Sequence, residues 1–167
     1  KAYAKEINKR IELNSITPSD EILPGSAMPP ESPDTTHFSV ADNDGNVISN
    51  TFTLNSGFGS GIVIDGTGVL MNNEMDDFVS APGVPNQFGL IGGEANKIEP
   101  FKRPLSSMTP TLVLQDGKPV FATGSPGGSR IITTVLQFLL NTLDFEMEIS
   151  DATVVPRIHH QWKPDVL

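Results

Sequence analysis

Thr35-Thr-His-Phe-Ser-Val-Ala41 alternates side chains at the period of two that a half-buried strand requires, and Asn46-Val-Ile-Ser-Asn-Thr-Phe-Thr-Leu54 repeats the pattern. Between them stands Asp42-Asn-Asp-Gly45, a cluster of residues that tolerate positive φ, so the two strands close as a hairpin. A second hairpin is expected from Thr111-Leu-Val-Leu114, the turn Gln115-Asp-Gly-Lys118 and Pro119-Val-Phe-Ala-Thr123. Gly61-Ile-Val-Ile64 and Val69-Leu-Met71 read as short strands between the hairpins, followed by loops rich in proline and glycine over residues 81–104. Residues 129–143 carry Ile131, Val135, Phe138, Leu139 and Leu143 as one apolar stripe at helical spacing. A shorter helix is expected to begin near Ser150 or Asp151 and to be stopped by Pro156. Hairpins followed by helices predict an α+β layered domain.

The strand that opens at Thr35 follows a segment of different character. Residues 2–13 predict a short helix, with Ala4, Ile7, Ile11 and the stem of Lys5 at helical spacing. Residues 17–34 lose that periodicity, and five of the chain's fourteen prolines (Pro18, Pro24, Pro29, Pro30 and Pro33) stand there. Proline lacks an amide proton and holds its predecessor extended, so an exposed, extended linker is expected to run directly into the first strand. The 167 residues carry 20 Asp+Glu against 11 Lys+Arg, a formal net charge of -9, and no cysteine. An acidic chain whose bases are scattered, apart from Lys5, Lys9 and Arg10, is not built to track phosphates, which argues against nucleic acid as a partner. No apolar run nears the ~18–20 residues of a spanning helix, and the longest, residues 135–140, is interrupted by Gln137. The lack of cysteine removes disulfides, thiolate metal sites and cysteine nucleophiles together, leaving Ser, Thr, Lys or a carboxylate for covalent chemistry. The opening residues Lys1-Ala-Tyr-Ala-Lys-Glu6 lack the apolar stretch of a secretory signal.

Four places carry residues suited to chemistry. A cut between Asp34 and Thr35 would give Thr35 a free α-amine beside its own hydroxyl. An amine with a pKa of about 7.7–8.0 is partly neutral near neutral pH and can take the hydroxyl proton, which is how an N-terminal threonine becomes a nucleophile. The alternative is that Thr35-Thr36 is only a β-branched strand start. Thr123-Gly-Ser-Pro-Gly-Gly-Ser-Arg130 is a glycine-rich loop leading into the long helix, where outward amides and the helix dipole suit an anion. Without the lysine and spacing of a P-loop, a developing oxyanion fits better than a phosphate, and a plain turn is the other choice. Met71-Asn-Asn-Glu-Met-Asp-Asp77 crowds Glu74, Asp76 and Asp77 and suits a cation, either a metal or a substrate ammonium, or else is a solvated turn. It lacks the central glycine of a calcium loop. Arg103-Pro-Leu-Ser-Ser-Met108 offers two adjacent hydroxyls to a carboxylate, or is a surface loop. His159 and His160, being adjacent, point apart and make a poor metal site; His37, on the same strand face as Thr35, is either a base or a structural histidine.

Thr35-Thr-His-Phe-Ser-Val40, Met71-Asn-Asn-Glu-Met-Asp-Asp-Phe78, Arg103-Pro-Leu-Ser-Ser-Met108 and Gly124-Ser-Pro-Gly-Gly-Ser-Arg130, in this order, closely resemble the γ-glutamyltranspeptidase family of bacterial type. Residues 1–34 are similar to the C-terminal tail of that family's large subunit and residues 35–167 to most of its small subunit. The large-subunit body and the end of the small subunit are therefore expected to lie outside this chain. The resemblance implies part of an N-terminal-nucleophile hydrolase fold, a four-layer αββα sandwich of two stacked antiparallel sheets between helical layers. It also implies a precursor that cuts itself when the Thr35 hydroxyl attacks the Asp34 carbonyl.

The implied enzyme cleaves the γ-glutamyl amide bond of substrates such as glutathione and passes the group to water, an amino acid or a peptide. Its roles, carried onto matching positions, make Thr35 the nucleophile, Thr53 its orienting partner, and the Gly127 and Gly128 amides the oxyanion site. Asn55, Glu74 and Asp77 would hold the substrate's α-ammonium, and Ser106 with Ser107 its α-carboxylate, assisted by an arginine of the large subunit. The large subunit of the same precursor is the implied partner, the periplasm or the exterior is the implied location, and neither cofactor nor metal is implied. Ala81-Pro-Gly-Val-Pro-Asn-Gln-Phe-Gly-Leu90 resembles the family's lid loop, whose aromatic is often a tyrosine bonded to the asparagine aligned with Asn55. Here that aromatic is Phe88, which can cover a pocket but cannot make that bond. Two other readings stay open: an acylase of the same fold whose substrate lacks the α-ammonium, and an unprocessed, non-catalytic domain that binds an amino acid.

Overall fold

The computed structural model describes residues 35–162 continuously, together with 11, 14–16, 18, 165 and 167. The helix expected over residues 2–13, the linker over 17–34 and the Asp34 side of the expected cleavage point lie outside the described residues, those few positions excepted.

Strands β1 (Thr36–Ala41) and β2 (Val47–Phe52) pair antiparallel, with Thr36 opposite Phe52 and Ala41 opposite Val47. The turn between them is organised by Asp42, whose carboxylate accepts the amides of Asp44 and Asn46, each at 2.9 Å, and the Asn46 carboxamide at 2.7 Å. Strands β3 (Thr111–Gln115) and β4 (Lys118–Thr123) form the second hairpin, turned at Asp116 and Gly117 with φ of 52° and 77°. Two successive positive φ angles match the twist of the strands they join, and Asp-Gly accepts them readily. The register slips between Val113 and Leu114, a bulge beside the strand proline, which has no amide to give to the ladder.

Helix α1 (Arg130–Leu143) buries Ile131, Val135 and Phe138, and Phe138 meets Phe121 of β4 edge to face at 5.9 Å. Helix α2 (Ile149–Val154) presents fully buried Ala152, and Val155 turns extended ahead of Pro156. Both helices fall where expected, within a residue or two. The stripe on α1 stops short of expectation, since Leu143 in the last turn is 53% exposed. The strands expected at residues 61–64 and 69–71 reduce to one bridge, Val63 to Leu70, because Gly59, Gly61, Gly66 and Gly68 all take positive φ and curl the chain out of ladder geometry.

The hairpins are separate two-stranded sheets that meet at the end of β4. Ser49 of β2 donates to the Thr123 carbonyl at 3.0 Å, and a Cβ on Gly124 would fall 2.2 Å from His37 Nδ1. Glycine at 124 thus lets the chain leaving β4 pass directly over β1. The opposite face of the first hairpin leaves Phe38, Val40, Ile48 and Phe52 exposed.

Candidate active site

The register of the first hairpin decides where the site lies. With Thr36 opposite Phe52, the next residues outward, Thr35 and Thr53, stand across from one another at the hairpin's open end, and both line one cleft. The Thr53 hydroxyl accepts the Asn55 amide at 2.9 Å. Asn55 is buried with φ of 75°, a left-handed conformation asparagine tolerates, and its Nδ2 donates to the Asn73 carbonyl at 3.2 Å.

Asn73 in turn accepts the Ser56 amide at 3.0 Å and donates to the Ser56 hydroxyl at 3.1 Å, so the strand end is stapled to the start of the acidic segment. That segment is a single 3-10 turn, Glu74–Asp77. The Glu74 and Asp77 carboxyls lie within reach of a shared hydrogen bond. Burial, and secondarily Asp77, pushes Glu74 up to about 7, and burial raises Asp77 as well. A half-buried pair of acids without a cation shares a proton; a bound ammonium would let both ionise. Asp77 lines the cleft, and Glu74 meets its carboxyl.

Phe88 is 8% exposed and lines the same cleft. Its loop is held by Asn86, which accepts the Phe88 amide at 3.0 Å and the Leu90 amide at 2.9 Å. Gln87 anchors it from the other side, donating its amide to Asp76 Oδ2 at 2.9 Å and accepting the Ser56 hydroxyl at 3.0 Å. Asn55 makes its side-chain bond to a main-chain carbonyl and not to the lid aromatic, as the phenyl ring requires.

Ser106, Ser107 and Met108 form the next wall, and Gly128, Ser129 and Ile131 close the cleft at the amino end of α1. Gly127 and Gly128 have φ of 129° and 56°, and their carbonyls accept the Arg130 and Ile131 amides at 3.1 and 3.2 Å to begin the helix. Amides at a helix start have no partner within the helix, so this end of the cleft favours negative charge.

The structure therefore gathers Thr35, Thr53, Asn55, Asp77, Phe88, Ser106, Ser107 and Gly128 around one space, with Glu74 and Gly127 adjoining. His37 lies elsewhere. Its Nδ1 pairs with Thr51 Oγ1 at 2.9 Å and its Nε2 with Ser39 Oγ at 3.2 Å, and it borders a different cavity, between β1, β4 and the helices. It is the structural histidine of the two readings. His159 pairs with Thr133 and Gln161 while His160 pairs with Asp165, so the two imidazoles diverge. Among the described residues no group of three metal-ligating side chains occurs, and no helix is long and apolar enough to cross a membrane. Two residues that pattern reading missed are Asn73 and Asn96, single asparagines in irregular chain that carry no periodic signal. Asn96 Nδ2 donates to the Asp77 carbonyl at 2.7 Å, and its Oδ1 accepts the Leu105 amide at 2.9 Å.

A threonine at the mouth of a hairpin, facing a glycine-rich helix start within an αβ-layered frame, defines a portion of the N-terminal-nucleophile hydrolase fold, and solved structures agree. A mutant of Helicobacter pylori gamma-glutamyltranspeptidase superposes with a TM-score of 0.74 at 59% identity, covering 78% of this chain and 70% of that one. Gamma-glutamyltranspeptidase from Pseudomonas nitroreducens complexed with L-DON gives 0.74 at 54% identity, covering 77% and 67%. The family model for gamma-glutamyltranspeptidase matches residues 1–167, and the chain belongs to that family. The glutathione hydrolase proenzyme of Escherichia coli K12 is 58% identical over 167 residues, all of this chain and 29% of that protein. This chain thus spans under a third of that relative's length.

Proposed function

We propose that this chain supplies the nucleophile and most of the substrate pocket of an enzyme that breaks γ-glutamyl amide bonds, glutathione among them, and passes the γ-glutamyl group to water or to an amino-acid or peptide acceptor. The supporting observation is the convergence of Thr35, Thr53, Asp77, Ser106, Ser107 and Gly128 on one cleft. The relatives' name, glutathione hydrolase proenzyme, supports both the substrate and a precursor that is cut.

Residues 1–34 are then the tail of a large subunit and 35–167 the core of a small one, parted between Asp34 and Thr35. Before the cut, the nitrogen of Thr35 is an amide and no base. Afterwards it is an amine able to take the hydroxyl proton as Oγ attacks the γ-carbonyl. The resulting oxyanion lies against the Gly127 and Gly128 amides. The leaving amine departs with the proton, leaving a γ-glutamyl ester on Thr35, and water or an acceptor amine attacks that ester and frees the threonine. Thr53 orients the nucleophile. Asn55, Glu74 and Asp77 hold the α-ammonium and Ser106 with Ser107 the α-carboxylate. The shared-proton acid pair favours this reading over an acylase for substrates without an ammonium, since two half-buried carboxyls without a cation destabilise the site they occupy.

The test is incubation of the full precursor followed by N-terminal sequencing and assay with a γ-glutamyl anilide. A new terminus at Thr35 with turnover is expected. An uncut chain, or a Thr35→Ala variant that still hydrolyses the anilide, would sink the mechanism.

A further inference from the structure

The cleft's recognition end is made of two arms that no regular element joins. One is the 3-10 turn ending at Asp77; the other is the irregular segment in which Leu105 precedes Ser106 and Ser107. An α-amino acid carries its ammonium and carboxylate on one carbon, so a pocket that grips both must keep these arms at a set separation.

Asn96 is the residue that spans them. Its Nδ2 donates to the Asp77 carbonyl at 2.7 Å and its Oδ1 accepts the Leu105 amide at 2.9 Å. Its own main chain is fixed as well, the carbonyl accepting the Val79 amide at 2.9 Å and the amide donating to Gly93 at 3.0 Å. The side chain is therefore a strut anchored at its base, reaching one arm with each polar atom. Packing does not fully duplicate it, because Asp77, Val79, Leu90, Asn96, Leu105 and Ser107 line a hollow between the arms. Gly92 lets the chain pass close over Val79, whose amide holds the Asn96 carbonyl, since a Cβ there would fall 2.2 Å from Val79 Cγ2.

We infer that Asn96 is a positioning residue whose carboxamide sets the separation of the ammonium-binding and carboxylate-binding arms, and so the enzyme's preference for donors bearing an α-amino-acid head. This rests on the functional reading above. Asn96 touches no substrate; it acts through Asp77 and Leu105.

The experiment compares two anilide donors on the processed, full-length enzyme: γ-glutamyl, and glutaryl, which lacks the α-ammonium. Losing two hydrogen bonds, Asn96→Ala is expected to raise KM for the γ-glutamyl donor by about tenfold or more while kcat changes by less than about threefold. The KM for the glutaryl donor should stay near that of the wild type, so selectivity between the two collapses. Asn96→Asp keeps an acceptor for the Leu105 amide and loses the donor to Asp77, and should fall between; it serves also where the alanine variant does not mature. A lower melting temperature with the wild-type selectivity retained in both variants would mean a merely structural residue and would overturn the inference. A wild type that turns over neither donor overturns the functional reading itself, and this inference with it.

Discussion

The two ends of the cleft are built differently. The end proposed to react, Thr35, Thr53 and Gly127-Gly128, is placed by regular structure: the register of a hairpin and the lead-in to a 14-residue helix. The end proposed to recognise substrate, Asn55, Glu74, Asp77, Phe88 and Ser106-Ser107, sits on irregular chain held by the side chains of Asn73, Asn86, Gln87 and Asn96. Bond making tolerates errors of about 0.5 Å, which strands and helices can guarantee. Recognition of a charged head group needs oppositely placed polar atoms, and loops can bring these from distant parts of the chain. Damage at the first end should therefore appear in kcat and damage at the second in KM.

The largest break in this division is expected from Thr35→Ala, which should abolish both self-cleavage and turnover, by about a thousandfold or more, read by N-terminal sequencing and anilide hydrolysis. Next comes the double change Glu74→Gln with Asp77→Asn. Removing both charges proposed to hold the ammonium should raise KM for a γ-glutamyl donor about a hundredfold, on the scale of ~1.5–3 kcal/mol for hydrogen bonds to charged groups, and leave a glutaryl donor nearly untouched. If kcat fell instead, the acid pair would belong to the reacting end.

A smaller effect, on kcat, is expected from Gly124→Ala. Its Cβ would strike the His37 ring at 2.2 Å, and that ring is held on both sides by Thr51 and Ser39, so the loop carrying Gly127 and Gly128 must shift. Overpacking of this kind costs about 1–3 kcal/mol, and kcat should fall about tenfold with KM within about twofold. A change in KM alone would show that the loop serves recognition. The smallest effect concerns pH. Glu74 stays protonated up to about 7 in the folded protein against 4.5 for its ordinary value. The ligand-free protein therefore loses stability as pH rises from 4.5 towards 7, because the folded state holds the extra proton. Glutamate binding gains over the same range as the carboxyl ionises. Thermal melts at pH 5 and pH 8, with and without glutamate, should show the ligand-induced shift growing with pH, and Glu74→Gln should flatten it.

The same division governs what could be read without coordinates. Alternation over residues 35–54 and 111–123 and the helical stripe from Ile131 were legible because each element reports its own burial locally. Periodicity says which way a side chain faces, not how far its partner extends, and so it overstated the stripe at Leu143. It overstated strand length at residues 61–71 as well, where runs of β-branched residues are interrupted by glycines at positive φ. Thr35, Asp77, Ser106, Ser107 and Gly128, which the cleft brings together, stand in four motifs that were legible in order. The asparagines that join them were not, since a lone asparagine looks the same whether it bridges two arms or faces water.

By itself, the sequence determined the two hairpins, the long helix and a threonine at a strand start, all consequences of short-range periodicity and turn chemistry. Only the tertiary structure decided that Thr35, Thr53, Asn55, Asp77, Phe88, Ser106, Ser107 and Gly128 share one cleft, that His37 stands outside it, and that the Glu74 carboxyl is pushed up to about 7. Those depend on desolvation and on bonds between segments far apart along the chain, and such interactions exist only once the chain has closed on itself.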